Sequence, residues 1–231
     1  MSNNAININI MKPDLKLDVT SLTQRLLAQK TTKVRFRFPC TREQAIDLLT
    51  AAYRAEVAFR RRPFIADEYT ASHIAQLADF LTSDTSKFGI MLCGTYGNGK
   101  TTLMHALRSA TNLLNRCGEF AEQNIGIRME DARDIAKLYT ARDQRPYNEF
   151  KQAERVIIED MGKEPVEQMN YGTVISPVVE ILEYRYHNQL FTAITTNLTP
   201  QEIRAKYGNR IADRFNEMMM VITFQDQTYR K

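Results

Sequence analysis

At 231 residues, 43% hydrophobic and 25% charged, the chain has the bulk and balance of one large folded domain or a domain with an appendage, which excludes a disordered, collagenous or rod-like coiled-coil protein. No apolar run approaches the roughly 18 residues a membrane span needs, and the start MSNNAININIMKPDLK lacks the basic-then-apolar layout of a secretory signal. Three scattered cysteines (Cys40, Cys93, Cys117) and three scattered histidines (His73, His105, His187) offer neither a disulfide framework nor a zinc spacing, and a reducing cytoplasm is the expected compartment.

In chain order, residues 1 to about 20 carry turn-formers and little periodicity, and a mobile tail is expected there. The net charge of +4 is uneven: Arg25 to Arg62 holds ten Lys and Arg against three Asp and Glu, leaving the rest of the chain at −3. Such a basic stretch fits a solvated helix face and equally a surface for an anionic partner such as nucleic acid. Thr41 with Gln44 forms a capping box, and Ile46, Leu49, Tyr53 and Val57 then follow at helical spacing up to Arg60, Arg61 and Arg62. Ile74, Leu77, Ala78 and Leu81 mark a second helix. Both helices suit a core or a partner.

After Ser86 short apolar runs alternate with helical patterns, as βα units do. Strands are expected at Gly89–Leu92, Gly126–Met129, Val156–Ile158, Phe191–Thr195 and Met219–Phe224. Helices are expected at Lys100–Arg116, Asp131–Thr140 and Pro177–Tyr186, the last with Ser176 as its cap. This is an α/β pattern: five strands with helical crossovers predict a mostly parallel sheet covered on both faces.

Gly94-Thr95-Tyr96-Gly97-Asn98-Gly99-Lys100-Thr101, followed by Thr102, matches a phosphate loop in full and lies between a strand and a helix. Its glycines let backbone N–H groups turn towards phosphates, and the helix behind it points its positive end at the same anion. Lys100 is expected to reach the β and γ phosphates, and the Thr101 hydroxyl to hold Mg2+. About sixty residues on, Val156-Ile157-Ile158 leads into Glu159 and Asp160. One carboxylate is expected to bind the magnesium through its water shell, the other to polarise an attacking water. Asn197, after Phe191–Thr196, is placed to orient that water or touch the γ-phosphate; a turn before Thr199-Pro200 explains it equally. Arg210 and Arg214 share one helical face, which serves either a transferring phosphate or surface pairing with Asp213 or Glu217.

With these elements in order, the chain resembles the AAA+ ATPases over residues 64–226. Within them it is similar to the helicase loaders of the DnaC/DnaI type and the related transposition ATPase IstB. LCGTYGNGKTTL, VIIEDMG, EYRY before TAITTNL, and YGNRIADRF carry the likeness. It implies a P-loop NTPase core over residues 63–231 without a helical lid domain, and a partner-binding helical segment over 1–62. Lys100 and Thr101 would be the Walker A pair, Asn197 sensor 1, Arg214 an arginine finger acting in trans and Arg210 its companion. The second motif departs from the family's Asp-Asp or Asp-Glu: Glu159 takes the magnesium position and Asp160 the water-activating one, so both geometries shift by a methylene. Slow hydrolysis of ATP is one implication.

The implied partners are a hexameric replicative helicase, single-stranded DNA and further copies of the chain. For DNA, Arg133, Lys137, Arg142 and Arg145 are the expected phosphate contacts, with Tyr139 and Tyr147 available for stacking; a solvated helix and loop is the alternative. Two other functions share the core. An IstB-like ATPase would act on duplex DNA and a transposase, and a nucleotide-gated adaptor would bind ATP and hydrolyse little.

Overall fold

The computed structural model describes residues 18–29, 33–120, 126–165, 168–170, 173–224 and 229. The tail expected over residues 1 to about 20 lies, up to residue 17, outside them. Residues 1–34 and 35–231 are separate compact units. In the first, α1 (Val19–Gln29) exposes Val19, Leu22, Leu26 and Leu27.

The second unit opens with an extended stretch and two helices, α2 (Arg42–Phe59) and α3 (Glu68–Thr82). The Thr41–Gln44 capping box is formed, and Asp67 caps α3 by accepting the Thr70 N–H. β1 (Gly89–Gly94), α4 (Lys100–Arg116), β2 (Arg128–Asp131), α5 (Ala132–Thr140), α6 (Arg145–Gln152) and β3 (Arg155–Met161) follow. A hairpin of β4 (Gln168–Asn170) and β5 (Thr173–Ile175) leads to α7 (Pro177–His187), β6 (Phe191–Thr196), α8 (Pro200–Met218) and β7 (Met219–Phe224).

Five strands form one sheet in the order β2-β3-β6-β1-β7, every neighbouring pair parallel. Parallel strands need helical crossovers, so both faces are covered. Strand alternation sorts the side chains. Ile90, Leu92, Ile157, Ala193 and Ile222 pack with α2, α3 and α4. Met91, Val156, Ile158, Ile194 and Met219 pack with α5 to α8. Among the described residues no helix is long and apolar enough to cross a membrane.

Three local features depart from expectation. β2 begins two residues later than the apolar run suggests, because Asp131 closes the strand and caps α5 with its side chain. α6 forms in the charged insert, with Pro146 in its first turn and Tyr147 and Phe150 facing inward. The β4–β5 hairpin is too short to show a period. Ser176 caps α7 by position, with no hydrogen bond from its side chain.

Of the segment 1–62, residues 35–62 belong to the larger unit. Phe38, Leu49 and Tyr53 are buried in its core. Several of its basic residues have internal uses. The Arg37 guanidinium donates to the carbonyls of Phe36, Ser83, Thr85 and Lys87. Arg42 pairs with Asp79, and Arg54 lies over the Phe64 ring. Arg61 and Arg62 remain exposed at the end of α2.

Candidate functional site

Three adjacent strands bring the sequence-predicted residues to one edge of the sheet. β6 lies between β1 and β3, pairing Cys93 with Thr196 on one side and Met161 with Thr196 on the other. The phosphate loop therefore leaves the sheet beside Asn197, with Glu159 and Asp160 one strand further. This is where ligands bind in open α/β sheets, beyond the carboxyl ends of the strands.

The loop from Gly94 to Thr102 wraps the start of α4. Gly99 is in the left-handed region at φ 94°, and a Cβ there would sit 2.7 Å from the Tyr53 hydroxyl oxygen, so only glycine fits. Lys100 is buried and donates from Nζ to Gly94 O at 2.7 Å, Thr95 O at 2.6 Å and Asn98 Oδ1 at 3.1 Å. An ammonium held among acceptors at the mouth of a nest of N–H groups is a ready anion site. Tyr96 and Thr101 are exposed, and the Thr102 hydroxyl accepts from Arg60 at the end of α2. Arg60 was not singled out by its chemistry in the sequence, since a basic helix end is commonplace.

Glu159 and Asp160 sit where β3 bulges, the register shifting between Ile158 and Met161. Asp160 takes a left-handed φ of 53°, which aspartate tolerates better than most residues. Its N–H donates to Thr195 Oγ1 at 2.9 Å, and its Oδ2 lies 2.5 Å from Lys163 Nζ. Glu159 Oε2 is 3.5 Å from His105 Nε2, while its Oε1 is buried with no hydrogen-bond partner among the described residues. A buried carboxylate oxygen left unpaired is costly. That orphan, on a carboxylate whose other oxygen faces His105 of α4, suits a hard divalent cation held by oxygen. Among the described residues no three His, Cys, Asp or Glu side chains converge as a metal cage. Magnesium here would need ligands from a nucleotide.

The fold is that of the DnaC helicase loader.

The two structures share 18% sequence identity, cover 70% of this chain and 93% of that one, and superpose with a TM-score of 0.53. DnaI matches at 18% identity, 73% and 88% coverage and TM-score 0.52. A proposed primosome component from Streptococcus pyogenes serotype M3 matches at 18%, 73% and 85%, with TM-score 0.54. No protein-family model matches the sequence, and no curated protein does. The likeness establishes an α/β fold shared with these proteins.

Asn197 is half-buried just past β6. Next to it Thr196 Oγ1 donates to Met161 O at 2.6 Å and accepts the Leu198 N–H at 3.1 Å, tying the ends of β6 and β3 together. The two arginines lie apart from the loop, against α7. Arg214, with a side chain 10% exposed, donates to Glu183 Oε1 at 2.8 Å, lies 3.1 Å from His187 Nε2 and stacks over Tyr186. Arg210, with a side chain 69% exposed, reaches the same Glu183 oxygen at 3.3 Å.

The loop after β3 holds residues that the sequence did not signal. Glu164 is buried. It accepts the Gly162 N–H at 2.8 Å through Oε2 and the Tyr207 hydroxyl through Oε1. Burial and that carboxylate push the Tyr207 hydroxyl far above its ordinary pKa. Lys206 donates to the carbonyls of Gly162 and Glu164. Thus α8 is bolted to the loop that follows Glu159 and Asp160.

Of the residues read for DNA, Arg133 is doubly bonded to Asp131, Lys137 pairs with Asp134 at 2.6 Å and Arg145 with Asp143 at 2.8 Å. These three and Arg142 are exposed. The stacking expected of Tyr139 and Tyr147 is overturned. Both rings are buried edge-to-face against each other, and Tyr147 donates its hydroxyl to Pro177 O at 2.9 Å. An apolar core position took precedence over an aromatic platform, because both residues lie on the inward faces of amphipathic helices.

Proposed function

We propose that the chain is an ATP-dependent accessory of DNA replication that loads or remodels a replicative helicase on single-stranded DNA. One observation carries the nucleotide part: adjacent strands set the phosphate loop, Asn197 and the Glu159-Asp160 pair side by side. The choice of client is supported by the fold shared with a DnaC helicase loader.

In this reading Gly94, Thr95, Tyr96, Gly97, Asn98, Gly99 and Thr102 surround the phosphates, and Lys100 leaves its carbonyl partners for the β and γ phosphates. Thr101 and Glu159 would hold Mg2+, which would supply charge neutralisation on the transferring phosphoryl group. Asp160 accepts a proton from the attacking water, and Asn197 orients that water. Arg214 and Arg210 complete the site of a neighbouring copy. The exposure of Arg210 supports it as the residue that reaches out. Arg214 must first leave Glu183 and His187. Arg133, Lys137, Arg142 and Arg145 lie on an exposed surface suited to a DNA backbone once their carboxylate partners yield.

A second reading, an adaptor that binds ATP and hydrolyses little, is favoured by the ammonium of Lys163 on Asp160. Lys100→Ala is expected to abolish binding of a fluorescent ATP analogue. The wild-type chain is expected to co-elute with a hexameric replicative helicase in a nucleotide-dependent manner. Unimpaired analogue binding by Lys100→Ala removes the phosphate-loop assignment. Absence of a complex with ATP, with ADP and without nucleotide removes the loader.

A further inference from the structure

The phosphate loop is held from outside by a residue far away in sequence. The main-chain N–H of Tyr229 donates to Gly97 O at 2.9 Å. Its hydroxyl donates to Asp67 Oδ2 at 2.8 Å and lies 3.1 Å from Thr70 Oγ1. Its ring edge is 3.9 Å from where a Cβ on Gly99 would stand, next to the Tyr53 hydroxyl. Burial, with Tyr229 close by, pushes the Tyr53 hydroxyl up to about 12. The Tyr229 hydroxyl is raised by the same burial and by its bond to Asp67. Both stay protonated at neutral pH, so Tyr229 keeps its proton for Asp67. Asp67 in turn is fixed as the cap of α3, accepting the Thr70 N–H at 2.7 Å.

The consequence lies in the peptide that Tyr229 grips. In a planar trans peptide the C=O and the following N–H point to opposite sides. Binding Gly97 O towards Tyr229 therefore turns the Asn98 N–H away from it. A phosphate nest works only when successive N–H groups are turned to one side. The side chain of Asn98 adds a second outer tie, its Nδ2 donating to Phe224 O at 3.4 Å.

We infer that Tyr229 is a positioning residue for the phosphate loop: its N–H sets the Gly97–Asn98 peptide for anion binding, and its hydroxyl, clasped by Asp67 on α3, keeps it in place. The inference rests on the proposed nucleotide reading and adds to it a residue outside the loop motif.

The test compares Tyr229→Pro, which lacks the N–H, with Tyr229→Ala, which keeps it and also lacks the ring, and with Tyr229→Phe, which loses only the hydroxyl. Two probes are titrated against each: a fluorescent ATP analogue, and inorganic pyrophosphate, which has no base. One hydrogen bond corresponds to roughly a tenfold change in affinity. Tyr229→Pro is expected to weaken both probes by about that factor, with Tyr229→Phe and Tyr229→Ala between it and wild type and all thermal midpoints without ligand alike. Equal affinity of the Pro and Ala variants overturns the role of the N–H. Weaker binding of the analogue with unchanged pyrophosphate binding also overturns it, because the ring would then be contacting the base. If the wild-type chain binds neither probe, the nucleotide reading itself falls, and this inference with it.

Discussion

Lys163 and Asp160 form the pair on which turnover depends in the proposed mechanism. Their ion pair is partly exposed, with side chains 34% and 27% accessible, so its own stabilisation is modest. Its effect on the site is positional, because the Asp160 oxygen engaged by Lys163 must be released before it can accept from a water. Lys163→Ala is expected to raise ATP turnover severalfold while leaving affinity for the ATP analogue unchanged. Steady-state phosphate release checks it, and turnover equal to wild type excludes Lys163 as a brake. The glycine-rich loop was legible as structure because its motif is written in consecutive residues with a strand before and a helix after. The Lys163–Asp160 pair was not, since it forms where the register of β3 shifts and the chain turns, which no local pattern announced. Tyr229 was less legible still: its tie to Asp67 spans 162 residues, and no local pattern encodes that.

Between elements, Arg185 does the work of a small core. Fully buried on α7, its guanidinium donates to the carbonyls of Lys151, Ala153, Glu154 and Phe191 and to Thr192 Oγ1. It thereby fastens the α6–β3 connection to the start of β6. Burial pulls its pKa down to about 9, which still leaves it charged at neutral pH. Arg185→Met would remove the donor from those carbonyls, and a loss of about 1–3 kcal/mol in unfolding free energy is expected from urea titration. A loss below 1 kcal/mol would show that the carbonyls find other donors. In the sequence Arg185 is one charged residue in a helical EYRY run, a pattern that points to solvent. Periodicity located the helix well, Pro177–Tyr186 against Pro177–His187, but it is blind to a buried charge satisfied by loop carbonyls. The βα order was legible for the opposite reason. Parallel strands covered on both faces must be short apolar runs, and β1, β3 and β6 are.

Across the larger unit, the phosphate loop, the end of β3 and α8 are joined by side chains and not by the sheet alone. Within α8, Arg204 reaches across to Asn209 Oδ1 at 2.8 Å and Asp213 Oδ1 at 3.4 Å, past the break at Gly208. At φ 84° and ψ 166° Gly208 divides α8, in a backbone region open essentially to glycine. No atom of the described residues lies within 4 Å of a Cβ added there, so Gly208→Ala tests the backbone alone. A loss of about 1–3 kcal/mol is expected on chemical denaturation; unchanged stability would mean that the helix straightens at no cost. The two halves have different attachments. Residues up to Tyr207 are fixed to the loop behind Asp160 through Lys206 and Glu164, and those after Gly208 carry Arg210 and Arg214 against α7. Mechanically this is a joint with its pivot at Gly208: the near arm is held by the loop behind Asp160, the far arm by the packing of Arg214 against α7, and Arg204 couples the two. In the proposed reading, a change at the loop would reach Arg210 and Arg214 through that joint, and the sheet need not move.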